Sequence, residues 1–295
     1  MGDTLKTLAR VALSAALSFC LAFGLVKMMP GQFASEETQL SESFSRAHQF
    51  EFFPMAGAYL QGDWGSSWAF PGQSVIDLIL QAFKKTSGLQ LLAFLLITGL
   101  SFLLSSLTLQ SKIFSQSLRK ILAVGVALPQ VILAPLAVYI LVLKMGWVPL
   151  RFDGSWQAYG LATLCLGLRP LCFSTGLLTQ AWSKTQFEDY FRVARGKGLS
   201  MFQAYLRHGL KNSSLTYLTQ LGQILAQLLT GSFLIESLLA YPGLGTLFVE
   251  SLRERDLPVL MGVVFVYTWL YFLIQGLVEN LYFKLEPRAR EGRQL

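Results

Sequence analysis

The chain has 295 residues, 53% of them hydrophobic and only 14% charged, where a soluble domain carries roughly 25% charged residues. A water-soluble surface cannot be built from that composition. The formal charge of +7 does not mark a nucleic-acid interface either, because the basic residues form short clusters between long apolar runs instead of lining one face or arm.

Six stretches reach the roughly 20 apolar residues that cross a bilayer, and helix is the open-ended choice there because lipid-exposed backbone must satisfy its own hydrogen bonds. The first, 8–29, follows Lys6 and Arg10 as a signal peptide would. Its apolar run is too long for one and no A-x-A site follows, so it reads as an uncleaved span. Residues 31–85 then form an external loop. At its end Val75, Ile76, Ile79, Leu80 and Phe83 recur at helical spacing and predict an interfacial helix over 73–83, ahead of the second span at 88–109.

The third and fourth spans are expected at 121–143 and 158–179. Arg169 lies in the middle of the fourth, beside Pro170. A charge there costs about 2.5 to 3.5 kcal/mol on insertion scales and must find a partner, water or the headgroups. Cys20, Cys165 and Cys172 all lie in apolar runs without ligand spacing, and read as small helix residues.

The loop 187–213 reads FEDYFRVARGKGLSMFQAYLRHGLKNS. Its first half is amphipathic, with Phe187, Tyr190, Phe191 and Ala194 on one side and Arg192, Arg195 and Lys197 elsewhere, and cations near its end suit a helix dipole. Gly198 stands where a left-handed cap would fall. Ser200 with Gln203 three residues on forms a capping-box pattern. The loop therefore reads as helix, glycine turn and second helix, an elbow. His208 has no histidine or cysteine at ligand spacing, so no metal site is expected.

The fifth span, 215–240, carries Thr216, Gln220, Gln223, Gln227 and Thr230 as a polar stripe, and the sixth, 259–281, carries Thr268, Tyr271, Gln275 and Glu279. Two readings fit such stripes. They line a hydrated path, in which Arg169, Gln220, Gln223, Gln227 and Gln275 are the candidates, or they are interhelical hydrogen-bond glue worth ~0.6 kcal/mol per contact. Between these spans, Pro242 followed by Gly243 and Gly245 predicts a sharp turn.

Orientation follows from lysine and arginine. One set of segments holds Lys6, Arg10, Lys112, Arg119, Lys120, Lys184, Arg192, Arg195, Lys197, Arg207, Lys211, Lys284, Arg288, Arg290 and Arg293. The other holds fewer cations, beside Glu36, Glu37, Asp63, Asp153, Glu250 and Asp256. Both termini are thus expected in the cytoplasm, and 1–295 reads as a single transmembrane domain, all-α and six-spanning.

The order Asp189, Tyr190, Arg192, Ala194, Arg195, Lys197, Gly198, Leu199, then His208, Leu210 and Asn212 resembles the EAA motif of binding-protein-dependent ABC importer permeases, in its oligopeptide, dipeptide and nickel version. The run 233–262, with Glu236, Pro242, Gly243, Gly245, Asp256 and Pro258, is similar to that family's last external loop, and GDWGSS at 62–67 to its first. Gly196 and Gly209 stand where the family has alanine, Thr216 near a usual proline, and Gln32 departs from the family's PGDP. Glycine costs ~1 kcal/mol in a helix, so the elbow is expected to be looser than in relatives.

The resemblance implies a type I importer permease fold in the cytoplasmic (inner) membrane, with both termini inside. It implies a second homologous permease subunit, an external substrate-binding protein, and two cytoplasmic ATPase subunits that dock on the elbow, with Ala194 and Gly198 permitting close contact. The cargo it implies is a peptide or similar small solute. No GxxxxGK[ST], H-E-x-x-H or G-x-S-x-G run occurs, so ATP is expected to be used by partner subunits, with no cofactor or catalytic residue on this chain. Two alternatives stay open: an ion-coupled secondary transporter or channel using Arg169 and Glu236, and a non-transporting scaffold.

Overall fold

The computed structural model describes residues 57–285 except 60, 110, 111 and 150, together with Leu13, Leu17, Cys20 and Gly24; at 112, 208, 210–218, 279 and 281–285 it describes the backbone alone. The expected first span, the MPGQF run at 29–33 and the end of the chain lie outside the described residues, save for those four helical positions. Among the described residues the protein is helical, with one isolated β-bridge between Ser66 and Ser74.

The helices are α1 (Val75–Thr108), α2 (Lys112–Ala127), α3 (Gln130–Val138), a π-helical continuation (Tyr139–Lys144), α4 (Trp156–Thr185), α5 (Asp189–Gly196), α6 (Met201–Ala204), a second π-helical stretch (Tyr205–Gly209), α7 (Leu210–Leu239), α8 (Leu244–Arg253) and α9 (Leu257–Leu285). Four helices are long and apolar enough to cross a membrane, Val75–Thr108, Trp156–Thr185, Thr219–Leu239 and Leu257–Val278, and the bent pair Ile113–Ala127 with Gln130–Lys144 makes a fifth if it is one span.

Two elements differ from the sequence reading. The expected interfacial helix and second span are one helix, α1, which no proline interrupts over its 34 residues; at about 1.5 Å per residue it is about 51 Å long, beyond the ~30 Å hydrocarbon core. The apolar stripe read as membrane-facing is covered by protein in part: Val75 and Ile79, with Ala82, pack on Leu244, Leu247, Val259 and Val263 and Phe83 lies against them, while Ile76 and Leu80 stay exposed. The expected third span is broken, its halves meeting at 100°. Pro129 sits at the break with φ −62° and ψ 140°, because it has no N–H to donate and disfavours helical geometry in the residue before it.

Where the sequence reads as one domain, contacts fall into two compact units, Met1–Ser87 with Ala240–Leu273, and Gly88–Leu239 with Ile274–Leu295. In the first, α8 and the start of α9 pack on the start of α1. In the second, α4 is the central helix and packs against α2, α3 and α7. Small residues permit that approach: Gly125 lies directly against Cys172, as close helix contacts in membranes require.

Candidate functional site: the elbow and the clamp

The elbow has the construction its sequence expects. After α5, Gly198 adopts φ +85° and its N–H bonds the Arg195 carbonyl at 3.0 Å, a left-handed cap that only glycine makes without strain. Arg195 Nη1 donates to the Leu199 carbonyl at 2.8 Å, bracing the turn. Ser200 and Gln203 form the reciprocal capping box: the Gln203 N–H donates to Ser200 Oγ at 3.2 Å and the Ser200 N–H to Gln203 Oε1 at 3.1 Å. The second helix then runs through the π stretch Tyr205–Gly209 into α7, so the elbow is continuous with a candidate membrane span.

Beneath it lies a small apolar core. Phe191 and Ala194 of α5, with Ala204 and Tyr205, bury against Trp182 near the end of α4, and Phe102, Leu109, Tyr190, Leu199 and Met201 close around them. Trp182 is fully buried, its ring centroid 4.0 Å from that of Tyr205 and 5.3 Å from that of Phe102, the latter edge-on. Its indole Nε1–H has no acceptor among the described residues, a burial that costs about 1–3 kcal/mol. Nothing in the sequence patterning singles out Trp182 or Tyr205; their distance along the chain conceals the pairing.

This core decides which elbow residues face outward. Ala194 is turned into the chain's own core, and its neighbour Val193 is the exposed one. Phe187 precedes α5 and is exposed rather than joining the buried side. Phe187, Val193, Phe202 and Leu206 are exposed beside Arg192, Arg195, Lys197 and Arg207. Asp189 pairs with Arg192 at 3.8 Å, too exposed to matter for stability. The side chains of His208 and Asn212 lie outside the described residues. Apolar side chains interspersed with arginine are the chemistry of a surface that another protein covers.

At the other sequence patterns the structure joins what the sequence only sets in order. Asp256 is fully buried and caps α9, accepting from the Val259 N–H at 3.3 Å, as an N-cap carboxylate does. Its other oxygen accepts from Ser67 Oγ and from the Ala69 N–H, so the GDWGSS run is fastened to the start of the last helix. Tyr59 Oη donates to the Pro258 carbonyl at 2.6 Å, and Trp64 stacks on Tyr59 at 5.3 Å. Burial, and then the Asp256 charge, push the Tyr59 phenol above its usual range. In the PGLG turn, Pro242 is exposed and Gly243 and Gly245 are buried; the Leu244 N–H donates to Thr86 Oγ1 at 2.8 Å and Tyr241 Oη to the Lys85 carbonyl at 2.9 Å. We call this set the clamp.

The candidate path residues divide. Gln220 is buried and its Nε2 donates to the Ser174 carbonyl at 2.8 Å, which places it among interhelical bonds. Gln223 and Gln275 are exposed on this chain, and Gln227 and Arg169 half-buried. Glu236 is fully buried. With Thr219 and Thr230, Gln223 and Gln227 form one open stripe on α7.

Comparison with known proteins places this geometry. The chain is 28% identical over 282 residues to the dipeptide transport system permease protein DppB of Bacillus subtilis (strain 168), covering 92% of each chain. It is 27% identical to DppB of Lactococcus lactis subsp. cremoris (strain MG1363), covering 97% of this chain and 98% of the relative. To the glutathione transport system permease protein GsiC of Shigella boydii serotype 4 (strain Sb227) it is 28% identical, with 81% and 79% covered. Residues 92–291, well over half the chain and including the elbow, α7 and α9, match the family of inner membrane components of binding-protein-dependent transport systems. The chain belongs to that family, as a transport subunit of the peptide-type ABC importer permeases.

Proposed function

We propose that this protein forms half of the translocation pathway of an ATP-driven importer for dipeptides or similarly small peptides. The observation that carries the reading is an elbow continuous with a membrane-crossing helix, inside a stretch matched end to end by the transport family. In this reading six spans cross the inner membrane with both termini in the cytoplasm. One of two ATPase subunits seats on the exposed face around Phe187, Val193 and Phe202, a second permease subunit, which receives the other, faces the Gln223–Gln227 stripe, and an external binding protein delivers cargo at the clamp. This chain contributes no ATPase site. The relatives named for dipeptide and glutathione transport support a short peptide as cargo.

ATP closure of the partner subunits would displace the elbow, and α7 would carry that displacement into the membrane. The test is uptake of labelled dipeptides into vesicles holding the complete complex and binding protein. Uptake is expected only with ATP at the elbow side; uptake driven by an ion gradient without ATP would favour the secondary-transporter alternative and contradict the proposal. Replacing Gln223 and Gln227 together by leucine should lower uptake at least tenfold with assembly intact, and unchanged uptake would remove them from the path.

A further inference from the structure

Gly209, where relatives of this pattern were expected to carry alanine, has a specific neighbour. A Cβ built on it would lie 2.6 Å from Cδ2, 2.9 Å from Cε2 and 3.1 Å from Cγ of Tyr205. The Tyr205 ring therefore rests on the backbone four residues ahead, within a single π-helical stretch that begins at Tyr205 and ends at Gly209. That ring is also the one stacked on Trp182. Single π turns inside longer helices concentrate at functional positions, because the extra residue can be passed along the helix or lost from it.

The stack sits where both halves of the elbow meet two long helices. Phe191 and Ala194 reach it from α5, Ala204 and Tyr205 from the second half of the elbow, Trp182 from α4 and Phe102 from α1. A packed core of this kind is bistable, not continuously deformable, so displacement of the elbow must either shift it whole or change its packing. A second observation points to change. Trp182 is fully buried, and among the described residues its Nε1–H has no acceptor. A phenylalanine would fill an apolar core without that cost, and buried orphan donors mark strain reservoirs or groups that find partners in another state.

We propose that the Trp182–Tyr205 stack, seated on Gly209, is the joint that turns displacement of the elbow into movement of α4 and α7. Trp182 and Tyr205 are positioning residues for ATP-coupled transport. This rests on the proposed importer reading and names the part through which its force passes. The glycine at 209 is then no loosening of the elbow. It is the space the ring needs, and the π turn is the backbone's way of lifting the ring into place.

The test uses the full complex with its ATPases, second permease subunit and binding protein loaded with the ligand it carries when purified. The readout is the ratio of binding-protein-stimulated to basal ATP hydrolysis, which a merely structural support would not alter once assembly is normal. Tyr205→Leu and Gly209→Ala should assemble yet lower that ratio about tenfold; Tyr205→Phe, which keeps the ring, should hold it within about twofold. Gly196→Ala, on the same elbow but with open space around it, should also leave it unchanged. If Tyr205→Leu and Gly209→Ala keep the wild-type ratio, the joint is refuted. Failure of Tyr205→Leu to assemble with the ATPases refutes it too, since the stack is then only a support. A wild-type complex that shows no binding-protein stimulation contradicts the importer reading itself, so the two failures are distinct.

Discussion

Ser67 is a serine in a six-residue polar run, and its importance is invisible until Asp256 is found beneath it. Removing its hydroxyl leaves one oxygen of a fully buried carboxylate with the Ala69 N–H as its remaining described donor. Ser67→Ala should therefore destabilise the unit that holds the clamp by about 1–3 kcal/mol, read as a lower midpoint of thermal unfolding in detergent. Tyr59 predicts a pH dependence. Its phenol ionises above its usual range in the folded protein, so the folded state holds a proton that the unfolded chain releases from about pH 10 upward. The stability it contributes is full below that pH and lost above it. Tyr59→Phe should remove this alkaline loss, at a pH-independent cost of about 1 kcal/mol for the bond to the Pro258 carbonyl. A titration with equal slopes for both proteins above pH 10 would contradict that assignment.

At the scale of elements, the elbow was legible because its signals are local: Gly198, Ser200 and Gln203 each act on backbone within three residues. The clamp was legible as two separate patterns and illegible as one object, since the pairing of Ser67 with Asp256 spans most of the chain. At Val75 to Phe83 periodicity is incomplete for a related reason: Val75 and Ile79 are covered by protein, while Ile76 and Leu80 are exposed. An apolar stripe states that something covers it, without saying whether lipid or α8 does. At the third span hydropathy saw apolar residues on both sides of Pro129 and passed over the break. Among the path residues, composition could not tell Gln220, bonded to α4, from Gln223, three residues on and open. Gly196 offers a test of the elbow's helical half: it ends α5 with empty space around its α carbon, so Gly196→Ala should stabilise by about 0.5–1 kcal/mol. A loss of stability there would mean that α5 is not helical at its end.

The whole molecule is a membrane-spanning transport subunit whose informative parts are an elbow in one compact unit and a clamp in the other. The proposed orientation puts Asp153 outside and Lys197 inside. In a variant lacking the three native cysteines, Asp153→Cys should react with an impermeant maleimide in intact cells, and Lys197→Cys only after the membrane is opened; the reverse pattern would invert the topology. The central claim, that force from ATP enters through the elbow, is tested most directly by co-purification. Gly198 combines a left-handed backbone with open surroundings, so Gly198→Trp strains the turn and crowds the docking face without touching the core beneath. The account predicts that wild-type protein retains both ATPase subunits through purification, while the Gly198→Trp protein inserts normally and loses them. Full retention of the ATPases by Gly198→Trp, with undiminished ATP-driven uptake, would contradict it.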